Sequence, residues 1–126
     1  MQPDQVHLNF PARPEYIRLT RLVVSGLAAQ VSGSIDEIED LRIAVDELCS
    51  TLIEQSVDAA EISITFTILG STLGFRATVP VHGGAIELDE LAENVLRATV
   101  DSHRLVFEGQ LAIASMEKTC ATTAAA

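Results

Sequence analysis

The chain has 126 residues, enough for one domain, and 48% of them are hydrophobic against 21% charged, a balance that supports a buried core and excludes global disorder. Eighteen acids against eight bases give a net charge of −10. That field repels phosphate backbones and anionic lipid, which argues against direct nucleic-acid binding and leaves solubility or a basic protein partner as its use.

Gln5 to Phe10 alternates, with Val6, Leu8 and Phe10 on one side, and predicts a short half-buried strand ended by Pro11. Pro14 sits where a helix accepts its first residue, and Tyr16, Leu19, Val23 and Leu27 follow at helical spacing, with Leu22 and Val24 widening the stripe; this first helix runs to about Gln30. Ser34 with Glu37 three places later is a capping-box signature. Asp36, Glu37, Glu39 and Asp40 then load the first turns of a second helix with charge that suits its dipole, and Ile38, Leu41, Val45, Leu48 and Leu52 form its apolar face as far as about Ser56. Glu61–Leu69 and Leu73–Val79 alternate on either side of Gly70-Ser71-Thr72 and predict an antiparallel hairpin, with Ile62, Ile64, Phe66 and Ile68 in the core. A third helix covers about Asp89 to Ala98, and a second hairpin pairs His103–Phe107 with Gln110–Met116. The fold class is a two-layer α/β sandwich: a mixed, mostly antiparallel sheet covered on one face by three helices. Residues 1–118 form the domain and 119–126 a loose tail.

No run of about 18 uncharged apolar residues marks a membrane span. Met1-Gln-Pro-Asp-Gln5 lacks the basic start and apolar block of a secretory signal, so the expected location is the cytoplasm. Two cysteines, Cys49 mid-helix and Cys120 near the end, and three separated histidines, His7, His82 and His103, have neither a disulfide framework nor metal-ligand spacing.

The segment richest in chemistry is Asp40–Gln55. Beside its oily face runs a row of small or polar residues, Asp40, Ala44, Glu47, Thr51 and Gln55, with Glu54 close by. Steps of three and four place them on one side of a helix. A carboxylate with a hydroxyl one turn later suits a nucleotide- or metal-facing helix, and it suits a wetted edge equally well; the residues alone leave both open.

The element order, with a glutamate-bearing second helix ahead of a hairpin, is similar to the ATP-binding fold shared by histidine kinases, type II topoisomerases and Hsp90. Within that fold the chain most resembles the anti-sigma-factor serine/threonine kinases of the RsbW type. The resemblance rests on the box Leu41-Arg-Ile-Ala-Val-Asp-Glu-Leu-Cys49 and on the opening Leu8-Asn-Phe-Pro-Ala-Arg-Pro-Glu15. It implies that Glu47 is the general base toward a serine hydroxyl. Thr51 stands where the family has a magnesium-holding asparagine, which makes it the implied metal ligand, and Gln55 follows one turn on. His82, Gly83 and Gly84 stand in the loop where the family reads adenine with Asp-x-Gly-x-Gly, but no aspartate precedes the glycines here. Glu87-Leu-Asp-Glu-Leu-Ala-Glu-Asn94 has four carboxylates and no glycine where the family has a phosphate loop. These departures lead to the expectation that ATP and magnesium are weakly held or lost. The chain would then act by binding a sigma factor and an anti-anti-sigma antagonist as a homodimer, through a first helix carrying Arg13, Arg18 and Arg21. Two other readings stay open: an active divergent serine kinase, and an unrelated two-layer regulatory domain that binds a small metabolite.

Overall fold

The computed structural model describes residues 2–31, 33–83 and 87–120. The elements follow in the expected order: β1 (Asp4–Pro11), a single 3-10 turn (Pro14–Tyr16), α1 (Ile17–Gln30), α2 (Ile35–Gln55), β2 (Glu61–Leu69), β3 (Thr72–Pro80), α3 (Glu90–Thr99), β4 (Ser102–Glu108) and β5 (Leu111–Thr119). Pro14 opens the 3-10 turn rather than α1 itself, and the chain passes from that turn into the α-helix at Ile17. α2 begins at the foreseen capping box: Ser34 Oγ accepts from the Glu37 N–H at 3.1 Å while Glu37 Oε1 accepts from the Ser34 N–H at 2.9 Å.

The five strands lie in the order β1-β2-β3-β5-β4, and all four pairings are antiparallel. Both hairpins close through two-residue turns, Gly70-Ser71 and Gly109-Gln110, whose glycines sit at φ 61° and 62° in the left-handed region that suits them. α3 carries the chain from β3 past β5 to the far edge, which is why β5 returns between them.

One face of the sheet is apolar and meets the helices. Ile62, Ile64 and Phe66 of β2 and Leu73, Phe75, Ala77 and Val79 of β3 are each at most 2% exposed, against Leu41, Val45, Leu48 and Leu52 of α2 at 0%. Phe66 and Phe75, paired across the hairpin, meet edge to face with centroids 5.6 Å apart. Cys49 is fully buried in this layer, and burial pushes its thiol up to about 12. On α1 the buried positions are Ile17, Thr20, Val24, Leu27 and Ala28. Leu22, expected to widen the apolar stripe, is instead 70% exposed, because the helix turns residues 20 and 24 inward and 22 away. The other sheet face is largely polar and uncovered.

β5 reaches further than the expected domain end. Thr119 pairs with Thr72 in the sheet, its N–H donates to Asp101 Oδ2 at 2.8 Å, and Cys120 is buried with its N–H on the Ser71 carbonyl at 2.9 Å. The rest of the expected tail, 121–126, lies outside the described residues. Among the described residues no helix is long and apolar enough to cross a membrane.

Candidate functional site

The polar row on α2 divides into two halves. In the first, Asp40 Oδ2 lies 3.8 Å from Lys118 Nζ of β5, and the same ammonium donates to the Thr99 carbonyl at 2.9 Å, so one side chain ties the start of α2 and the end of α3 to the sheet. Ala44 is fully buried. Asp46 stands 3.0 Å from Arg21 of α1, and burial raises its carboxyl even though Arg21 and Arg42 pull it down. Arg42 pairs with Glu39, 3.4 Å away, and not with Glu47.

The second half faces the start of α3. Glu47 is half-buried there, and its carboxyl is raised above the ordinary range first by burial, then by the negative charges of Asp89, Glu54 and Asp46. Neither Glu47, Glu54 nor Asp89 has an ion pair among the described residues. Thr51 Oγ1 donates to the Glu47 carbonyl at 2.9 Å, bonding back to its own helix. Gln55, the last residue of α2, is exposed, and so are His82 and Gly83 just beyond β3. A bridge between Ser56 and Val81 joins the two segment ends and brings Gln55 and His82 to one end of the molecule. Gly84 lies outside the described residues.

Asp89 caps α3, its Oδ1 accepting from the Ala92 N–H at 2.7 Å. A helix N-terminus is where phosphate commonly docks; here a carboxylate of the chain already occupies it. Glu93 turns away toward β4, its Oε2 3.0 Å from His103 Nε2 and 3.7 Å from Arg97. Among the described residues no group of three or more His, Cys, Asp or Glu is arranged to hold a metal. The pressure of Asp89 on Glu47 was not foreseen from the sequence. An aspartate directly ahead of an amphipathic run signals an N-cap, but only packing of α2 against α3 sets that cap beside Glu47.

The three basic residues near α1 differ in their freedom. Arg13 donates to the Tyr16 hydroxyl at 3.2 Å, lies over that ring at 5.2 Å from its centroid, and sits 3.9 Å from Glu15. Arg21 is committed to Asp46. Arg18 is exposed with no ion pair among the described residues, one helical turn before the exposed Leu22.

The chain is an antiparallel five-stranded sheet backed by three helices, with Glu47 of the second helix near the start of the third. The fold aligns over 93% of this chain with the crystal structure of the RsbU and RsbW domains of Rv1364c from Mycobacterium tuberculosis, at a TM-score of 0.71 and 13% identity, covering 32% of that chain. In sequence, the chain is 32% identical over 119 residues to the serine-protein kinase RsbW of Bacillus subtilis (strain 168), spanning 90% of this chain and 72% of that one. It is 32% identical over 122 residues to RsbW of Bacillus licheniformis, spanning 90% and 73%, and 37% identical over 95 residues to RsbW of Halalkalibacterium halodurans, spanning 75% and 57%. No family model matches the chain. The chain belongs to the family of RsbW-like anti-sigma-factor serine kinases.

Proposed function

We propose that this chain is an anti-sigma-type regulator that works by gripping protein partners, a sigma factor and its anti-anti-sigma antagonist, and that its hold on ATP and magnesium is weak or lost. The observation that carries this reading is the Thr51 hydroxyl, closed on the Glu47 carbonyl at 2.9 Å at the position where the resemblance places a magnesium ligand. The surroundings support it. A triphosphate calls for open backbone donors and cationic side chains to offset its charge, beyond the carboxylate or water ligands that hold its magnesium. The residues at the junction of α2 and α3 are instead Glu47, Glu54 and Asp89, with the Asp89 carboxylate on the α3 N-terminus. Three carboxylates beside the α3 N-terminus repel a triphosphate, which weakens the hold on nucleotide. The partner-binding role falls on α1, where Arg18, without an ion pair among the described residues, and the exposed Leu22 lie one turn apart, with Arg13 just ahead of the helix in sequence. A homodimer and a cytoplasmic setting complete the reading. Membership of the family removes the alternative of an unrelated metabolite-binding domain.

A second reading, an active serine kinase, is favoured by one feature. Glu47 is half-buried and its carboxyl is raised, the direction in which a carboxylate is tuned toward general-base work. In that reading Glu47 would accept the proton of a partner serine, with Gln55 and His82 exposed at the same end of the molecule, and a bound nucleotide would supply the phosphoryl group.

Thermal unfolding with and without millimolar Mg-ATP separates the two. The binding-only reading expects an unchanged midpoint. A ligand at 100 times its dissociation constant adds about 2.7 kcal/mol, and a shift on that scale, with phosphate transferred to the antagonist serine and lost in Glu47→Gln, would establish the kinase. In parallel, Arg18→Glu with Leu22→Asp should abolish capture of a purified sigma factor while leaving the melting midpoint in place; unaltered capture would remove α1 from the partner surface.

A further inference from the structure

The sheet face turned away from the helices carries a groove of about 640 Å³, within the range of small-molecule sites, roughly 300–1,000 Å³. The strand register aligns one row across it: His7 opposite Thr65, Thr65 opposite Arg76, Arg76 opposite Ser115, and Ser115 opposite Arg104. Arg76 and Arg104 therefore flank Ser115 from either side, and with strands about 4.8 Å apart their stems stand about 10 Å apart.

Charge separates these two arginines from the rest. Five of the eight basic residues, Arg13, Arg21, Arg42, Arg97 and Lys118, have carboxylate partners within 4.0 Å. Arg76 and Arg104 are exposed and have none among the described residues, in a chain where acids outnumber bases eighteen to eight. They are two of the three that remain, and both line one groove. The next row keeps the groove open. A Cβ on Gly74 would run into the Thr67 hydroxyl, so that position stays bare, and Glu117 stands opposite it as the groove's carboxylate. Thr65 is drawn toward His7, its Oγ1 3.1 Å from His7 Nδ1, which leaves Ser115 as the hydroxyl between the two guanidinium groups.

We infer that this face binds a small organic anion with two acidic groups, carboxylates or phosphates, one held by each arginine fork. Paired guanidinium groups grip such oxygens in bidentate fashion. Ser115 donates to the middle of the ligand, and Glu117 excludes a third acidic group while accepting from a hydroxyl or ammonium. The site lies on the opposite face of the sheet from the α2–α3 junction and does not depend on the reading proposed for that junction.

The test is a titration of the full chain, labelled with 15N in its arginine side chains, with succinate and with inorganic pyrophosphate at fixed ionic strength. The Nε–Hε signals of Arg76 and Arg104 should shift saturably with one of the two probes, which tells carboxylate from phosphate, while Arg18 stays in place. Arg76→Gln and Arg104→Gln should each weaken that binding at least tenfold, with the melting midpoint retained. Shifts that never saturate, or that are equal at Arg18, would mean general screening and overturn the site. Broadening of both arginines with protein concentration alone would mean a second copy covers the face, and would overturn it too.

Discussion

The two ends of α2 are built on opposite electrostatic plans. From its start to Asp46 at its middle, four acids have partners: Glu37 closes the capping box, Glu39 meets Arg42, Asp40 meets Lys118, and Asp46 meets Arg21. At its other end Glu47 and Glu54 share space with Asp89 and no cation among the described residues answers them. The first end holds layers together, since its ion pairs link α2 to α1 and to β5. The second end carries a standing repulsion that packing of the core must outweigh. Uncompensated charge of this kind breaks a local rule of stability, and such breaks concentrate at functional surfaces.

The largest loss is expected where α2 meets the core. Leu48 is fully buried, and Leu48→Ala removes its contacts and leaves a cavity, so unfolding in urea should show a loss of about 3 kcal/mol. A smaller effect tests the braced end itself. Lys118→Met keeps the apolar stem, whose side chain is 12% exposed, but abandons the Thr99 carbonyl and Asp40. With a hydrogen bond from a charged donor worth about 1.5–3 kcal/mol, the expected loss is about 1.5 kcal/mol, at the low end because Asp40 can turn to water. A loss near zero would mean the brace is decorative.

The sequence made the braced end legible and the repulsive end only partly so. Capping signals, strand alternation and turn glycines are local, and they placed every element within a few residues. Even the departures have local causes: Leu22 faces out because α1 packs through residues 20 and 24, and Thr119 stays in the sheet because Thr72 and Asp101 bond to it. The proximity of Asp89 to Glu47, forty-two positions apart, depends on how α3 docks on α2, and no spacing rule reports that. The arginine pair on the open sheet face was similarly hidden. Alternation sends Arg76 and Arg104 outward, but β3 and β4 become near neighbours only once β5 is known to lie between them.

The smallest effect comes from relieving the repulsion around Glu47. Glu47→Gln keeps the backbone carbonyl that Thr51 bonds and removes one carboxylate from beside Glu54 and Asp89. Because the Glu47 carboxyl is raised in the fold, the folded chain binds its proton more readily than the unfolded chain does. Glu47 therefore lowers stability as pH climbs from the ordinary carboxylate range through its folded value, and the penalty is complete above that. At pH 7 the variant should melt slightly above the parent, and the gap should close as the pH falls below the ordinary carboxylate range, where Glu47 is protonated in both states. A variant that melts lower at pH 7 would show that Glu47 has a stabilising partner, a gap that does not change with pH would show that its carboxyl is not raised in the fold, and either would end the contrast along α2.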